Sequence, residues 1–263
     1  MSLRSFIDET ASSSRQLAVF DGSVDGPLES MLAETFEEQP LDLTIDEAAN
    51  STPSIEADTK VVLIEDDRVV AESSLMELYD ALLAINSDLF ITGARELGEI
   101  ELPDVLANLD NQEFRLRGYP LAHKEKFLLI VISRYIEQLA WETGRGTLRS
   151  SFQNLSRVTD EVGTHNVYKS MGETGVDVHL YGYESAESDI DDLQSGLEVS
   201  VHAGDSAEHH NAWFVVFRPD EWTEQKKGAA LVCLEMEPRI WDGFWTYDRE
   251  RVVAIDEYIA ATL

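Results

Sequence analysis

Five short β-like runs, apolar or rich in β-branched and aromatic residues, follow one another late in the chain, at 176–181, 197–201, 213–217, 229–236 and 243–247. This succession constrains the fold more than any other feature. Such runs read as strands, and consecutive strands with short polar connections pair most simply as antiparallel neighbours. A strong helical pattern precedes them. Residues 121–142 place Leu128, Ile132, Tyr135 and Leu139 at helical spacing, and Gly144 and Gly146 end the pattern. Further helices are expected over 163–172 and 248–261, and the acidic stretch 184–196 reads as a loop. The expected fold class is α/β of the α+β kind, with a mixed, mainly antiparallel sheet flanked by helices.

The first half repeats this alternation less clearly. Leu3, Phe6 and Ile7 share one face of an expected helix over 2–14. Strands are expected at 16–20 and 41–45, with a helix over 26–37 between them. The polar stretch 46–58, which contains Pro53, reads as a loop or linker. Residues 60–64 and 69–71 flank Glu65-Asp66-Asp67-Arg68, a hairpin signal. Ser74 and Glu77 form a capping-box pattern ahead of Leu75, Leu78, Leu82 and Ile85. A short helix after Pro103 and a strand at 113–116 complete this half. The natural division is an N-terminal α/β region, 1–115, and a second region, 116–263, for which a GAF- or PAS-like arrangement is the expectation.

Charge limits function. Lys and Arg total 20 and Asp and Glu 51, a net charge of −31. Apolar residues still make up 43%, enough for a packed core, so this is no disordered acidic tail. A surface this negative disfavours generic nucleic acid and anionic membrane as partners. Fourteen of the basic residues are Arg and only six Lys. Few lysines among many carboxylates suit a salt-rich cytoplasm, where molar salt shortens the Debye length to about 3 Å. One stretch runs against the trend. Residues 116–160 hold seven basic residues and four acidic ones, net +3. It reads as a site for an anion or acidic partner, since Arg forks grip carboxylate and phosphate, with Gly144-Arg145-Gly146-Thr147 offering backbone donors. The competing reading pairs these arginines internally, Arg134 with Glu137 and Arg145 with Glu142.

Familiar chemistry is mostly missing. The lone Cys233 lies in an apolar run and reads as a small buried hydrophobe. Gly144–Arg149 begins like a dinucleotide loop, but Arg149 replaces its last glycine. Asp189, Asp191 and Asp192 hint at a calcium loop, yet Gln194 and Ser200 stand where glycine and glutamate are required. His209 and His210 diverge as neighbours on either helix or strand, and a solvated loop is the plainer reading. The late aromatics, Trp213, Trp222, Trp241, Phe244, Trp245 and Tyr247, suit core packing or a pocket wall. No signal-peptide-like run opens the chain, and its longest strongly apolar run, 127–132, is far short of a membrane span. A soluble cytoplasmic protein is expected.

From residue 121 onward the order of several blocks becomes distinctive. Phe127–Glu137, with Ser133-Arg134-Tyr135-Ile136-Glu137, is followed by Phe152-Gln153-Asn154-Leu155-Ser156-Arg157 and Tyr168. Then come Gly175-Val176-Asp177-Val178-His179, Trp213-Phe214-Val215-Val216-Phe217 and Phe244-Trp245-Thr246-Tyr247-Asp248. Together these blocks resemble the DICT sensory domain, a family associated with diguanylate cyclases and two-component systems, and the whole chain looks like its stand-alone haloarchaeal form. The resemblance implies signal sensing without enzymatic activity, with output through a separate signalling protein. It carries over no catalytic residues, no metal ligands and no cofactor.

The expected function is therefore a module that binds a small ligand or a signalling partner, a two-component protein or a regulator; a second copy of the chain is a further candidate. The rival classes are an enzyme with a scattered active site and an accessory protein of a transcription regulator. The expected ligand- or partner-binding residues are Arg134, Glu137, Arg149, Arg157, Trp213 and Trp245.

Overall fold

A computed structural model describes residues 1–10, 15–22, 30, 33, 36, 42–47, 59–86, 97–118, 125–183 and 187–263. Two sheets organise it. The smaller takes the order β2-β1-β3-β4, from β1 (Arg15–Gly22), β2 (Asp42–Glu47), β3 (Lys60–Glu65) and β4 (Arg68–Ser74). Here β1 is parallel to β2 and antiparallel to β3, which pairs antiparallel with β4. The β3–β4 turn falls where the sequence put it. Asp66 and Asp67 both adopt positive φ, 50° and 59°, as a two-residue hairpin with right-handed twist requires.

Ser74 then starts α2 (Leu75–Asn86) with a complete capping box. Glu77 N–H donates to Ser74 Oγ at 3.1 Å, and Ser74 N–H donates to Glu77 Oε2 at 2.7 Å. A similar box, Ser2 with Ser5, opens α1 (Leu3–Asp8). The helix expected over 26–37 lies outside the described residues, except that Ser30, Ala33 and Phe36 are helical. The end of the first expected helix, 11–14, and the expected loop from residue 48 to 58 also lie outside them.

The larger sheet has seven strands in the order β5-β11-β10-β9-β6-β7-β8. They are β5 (Phe114–Arg117), β6 (Arg145–Asn154), β7 (Gly175–Tyr183), β8 (Ser200–Ala203), β9 (Ala212–Arg218), β10 (Ala229–Glu237) and β11 (Ile240–Thr246). From β5 to β6 every pairing is antiparallel, whereas β6, β7 and β8 run parallel. The crossovers between the parallel strands are helical: α5 (Ser156–Asp160) and α6 (Val162–Gly172), then α7 (Glu187–Gly196). Further helices among the described residues are α3 (Asp104–Ala107), α4 (Glu125–Thr143), α8 (Ala207–Asn211) and α9 (Arg249–Thr262). The expected mixed, mainly antiparallel architecture is present.

Both faces of this sheet are covered, and side-chain alternation shows how. Val215 and Phe217 of β9 and Leu231 and Cys233 of β10 join one core cluster with Leu128, Leu129 and Ile132 of α4. Phe214 and Val216, with Ala230 and Val232, join a second cluster with Phe6 of α1 and Val252, Ile255 and Ile259 of α9. A strand buried on both faces reads as a continuous apolar run, as 229–234 does. The first cluster also contains Leu17, Val19, Val61 and Leu63 of the smaller sheet. Cys233 is fully buried there, and burial raises its thiol pKa well above the ordinary range, in keeping with a packing role.

Three expectations need correction. Residues 187–196 are helix α7, not loop; Ile190, Leu193 and Leu197 share one side, and the last two are buried. Gly144 and Gly146 form no anion loop. Gly144, at φ +68°, ends α4, and Gly146 already lies in β6. Arg145 does not pair with Glu142, which instead accepts from Gln138 Nε2 at 3.0 Å.

Gly146 has φ +133°, and a Cβ there would sit 2.4 Å from the Arg218 carbonyl oxygen. Gly146→Ala is expected to cost at least about 2 kcal/mol in chemical denaturation. Gly196→Ala, at the end of α7 with open space around it, should change stability by less than about 1 kcal/mol.

Candidate functional site

A cavity of about 200 Å³ opens between α4, the α5–α6 segment and the central strands β6 and β9 of the larger sheet. From α4 come Ile130, Ser133, Arg134 and Glu137; from the crossover, Arg157, Glu161 and Thr164; from β9, Trp213 and Val215. Strand β6 contributes three consecutive residues, Ser151, Phe152 and Gln153. A regular strand would turn every second side chain away. Here the β6–β7 register shifts between Ser151 and Asn154, and Gln153 has φ 58°. The bulge re-aims the strand at the cavity.

One wall of the cavity is a buried ionic network. Arg134 Nη1 donates to Glu137 Oε2 at 2.7 Å, and Nη2 donates to Thr164 Oγ1 at 2.6 Å. Tyr168 donates its hydroxyl to Glu137 Oε1 at 2.6 Å. Thr164 Oγ1 passes its own hydrogen to Glu161 Oε2 at 2.9 Å. Arg134 is 7% exposed and Glu137 2%, so each depends on the other for compensation. Burial opposes the charge on Arg134, but Glu137 and the oxygens around it offset this and hold its pKa above the ordinary value. Burial, then the Glu137 carboxylate, pushes Tyr168 well above its ordinary range, so its hydroxyl stays protonated and donates. Trp213 is fixed by a 3.0 Å hydrogen bond from Nε1 to Ser133 Oγ.

The structure thus brings together four of the six expected site residues: Arg134, Glu137, Arg157 and Trp213. The other two lie elsewhere. Arg149 points to the opposite face of the sheet, where Nε donates to Asp256 Oδ1 of α9 at 2.6 Å and Nη1 to the Tyr181 hydroxyl at 2.7 Å. Arg218 reaches the other oxygen of Asp256 at 2.9 Å. Trp245 packs in the first core cluster, with its ring 5.4 Å from that of Phe114. The cationic stretch 116–160 is therefore not one surface: its arginines divide between the two faces of the sheet. Phe152, Glu161 and Thr164 were not foreseen. Phe152 falls within a quoted sequence block, but no linear pattern ties Glu161 and Thr164 to Arg134.

A second polar cluster lies at the β7–β8 edge. His179 Nδ1 and His202 Nε2 are 2.9 Å apart, His179 Nε2 is 3.1 Å from Asp177, and Tyr181 stacks on His202 with centroids 4.5 Å apart. Burial, then His179, lowers the His202 pKa. His209 and His210 are not in a solvated loop. They sit in α8, with His209 buried against Ser206 Oγ at 2.7 Å and His210 turned outward to Asp205.

Comparison with known proteins now adds the family. The DICT family model, described as a sensory domain in diguanylate cyclases and two-component system, matches residues 104–235, half of the chain. This chain belongs to the DICT family. Every described residue lining the cavity lies within the matched DICT segment. No curated protein matches. Among solved structures, polyphosphate kinase from Porphyromonas gingivalis is similar over 61% of this chain at 12% identity, with a TM-score of 0.37. This DICT chain spans only 25% of that kinase chain, a likeness too loose to carry an argument.

Removing one member of the buried pair leaves an uncompensated charge. Arg134→Ala or Glu137→Ala should each cost about 3–5 kcal/mol in chemical denaturation, and Arg134→Met combined with Glu137→Leu should recover much of it. A cost below about 1 kcal/mol for either single change would mean that the pair is effectively solvated.

Proposed function

We propose that this DICT chain is a non-catalytic signal-input module of a salt-adapted cytoplasm, and that the α4–β6–β9 cavity receives its signal molecule. The observation that carries the reading is the cavity itself. Apolar walls from Ile130, Phe152, Trp213 and Val215 meet a charged rim from Arg157 and Glu161 beside an internally neutralised Arg134–Glu137 pair. Such sites, apolar with a few placed polar groups, are typical of small-molecule binding. In this reading residues 116–263 form the sensory region, residues 1–115 support it, and output passes to a separate signalling protein. The net charge of −31 disfavours generic nucleic acid and anionic membrane as partners. No described helix is long and apolar enough to cross a membrane.

The salt-adapted part rests on the charge of −31 and the scarcity of lysine. Raising KCl from about 0.1 to about 3 M should raise the melting temperature, as screening relieves carboxylate repulsion. A flat or falling trend would overturn this element.

The sensing part is tested by native mass spectrometry of protein purified from its host. A bound small molecule is expected, and its loss should accompany Trp213→Ala with the fold intact. Protein that is bare under all conditions, with tryptophan fluorescence unmoved by host metabolite extract, would argue against the cavity as a ligand site.

A further inference from the structure

The volume of the cavity limits its occupant. Ligand sites for drug-sized molecules run from about 300 to 1,000 Å³, whereas this one offers about 200 Å³. An apolar cavity of roughly 150 Å³ takes a benzene molecule. One ring or branched chain with a compact polar head therefore fits, and a nucleotide does not.

The polar groups select the head. Most of those lining the cavity are already engaged: Arg134 with Glu137 and Thr164, Ser133 with Trp213, and Gln153 with Glu235 at 3.0 Å. Two charged groups keep free capacity, although the Glu161 carboxylate also acts on Arg134 through space. Among the described residues the Arg157 guanidinium has no ion-pair or hydrogen-bond partner. Glu161 accepts Thr164 through Oε2 alone, leaving Oε1 without a partner. The two residues are four apart, a spacing that would join them on a continuous helix. They are not joined, because the backbone at Glu161 is extended (φ −99°, ψ 106°), breaking α5 from α6. The rim thus presents one unmatched cation and one unmatched carboxylate oxygen beside an apolar recess.

We infer that the cavity binds the zwitterion of a single apolar α-amino acid, its carboxylate on Arg157, its ammonium on Glu161 and its side chain against Trp213 and Phe152. The inference rests on the sensory reading above and specifies its ligand class. The guanidinium fork suits a carboxylate, and a carboxylate oxygen suits an ammonium donor. A zwitterion matches both charges and adds no net charge to the buried network behind them.

The test uses the full chain, at a salt concentration where it is folded, and a set of defined probes. L-phenylalanine, L-leucine, L-methionine and L-tryptophan are compared with 3-phenylpropionate, which lacks the ammonium, and 2-phenylethylamine, which lacks the carboxylate. Calorimetry and saturation-transfer NMR read the binding. At least one amino acid should bind about tenfold more tightly than either fragment. Arg157→Ala should erase its advantage over the amine, and Glu161→Gln its advantage over the acid. Both variants should melt near the parent temperature, and the probe comparison on the parent chain stands even if one does not. A fragment binding as tightly as every amino acid would overturn the zwitterion while leaving a small-ligand sensor in place. Failure of every probe would overturn the zwitterion; bare protein by native mass spectrometry as well would remove the sensory reading of the cavity with it.

Discussion

The buried ion pair of Arg134 and Glu137 is the constraint on which the cavity depends. Two charges three residues apart on one helix would be unremarkable at the surface, worth a few tenths of a kcal/mol. At 7% and 2% exposure they must instead be compensated completely. Thr164 and Tyr168 supply that compensation, and both belong to α6. The pair therefore locks α4 to α6. With those helices held apart by polar side chains rather than closed over a greasy seam, space remains above Phe152 and Trp213. The ionic network and the cavity are one feature seen from two sides.

Strand β6 joins this feature to the rest of the sheet. Its Arg149 meets Asp256 and Tyr181 on the face covered by α9, while the bulge at 151–154 faces the cavity. Arg218 of β9 completes the grip on Asp256. The C-terminal helix is thus anchored by two guanidiniums to the two strands that wall the cavity. Apolar packing by Val252, Ile255 and Ile259 supplies the bulk of that interface, and the ion pairs fix its register.

Much of this was legible where chemistry is local. The Ser74–Glu77 box, the Asp66-Asp67 turn, the long helix and the strands from β9 to β11 all follow from spacing and turn residues alone. Strand β6 was not legible. Its sequence, Arg-Gly-Thr-Leu-Arg-Ser-Ser-Phe-Gln-Asn, carries polar residues where a strand buried on both faces should be apolar. Two of them are satisfied only by distant partners: Arg149 by Asp256, and Ser151 by the Ala212 carbonyl at 2.9 Å. Helix α7 failed for the opposite reason. Ile190, Leu193 and Leu197 held the helical spacing, but the density of acidic residues around them read as loop. For the site, the anomalous charge of 116–160 pointed to Arg134, Arg157 and Trp213's neighbourhood. It did not separate arginines that share a segment yet face opposite sides of a sheet.

The preference for arginine over lysine acquires a structural meaning here. Among the described residues, the two buried guanidiniums of the larger sheet region, Arg134 and Arg149, each lie in reach of two acceptors. Burial works against their charge, and their acidic partners more than restore it. A lysine in either place would have a single ammonium to divide between diverging acceptors, and burial readily strips an amine of its proton. The guanidinium keeps its charge and its planar fork, so it holds two elements at a defined angle. In a chain whose surface is given over to carboxylates, the few cations that go inward are those that can bridge. Arg157, held at the cavity rim without a partner among the described residues, is the exception that a ligand would complete.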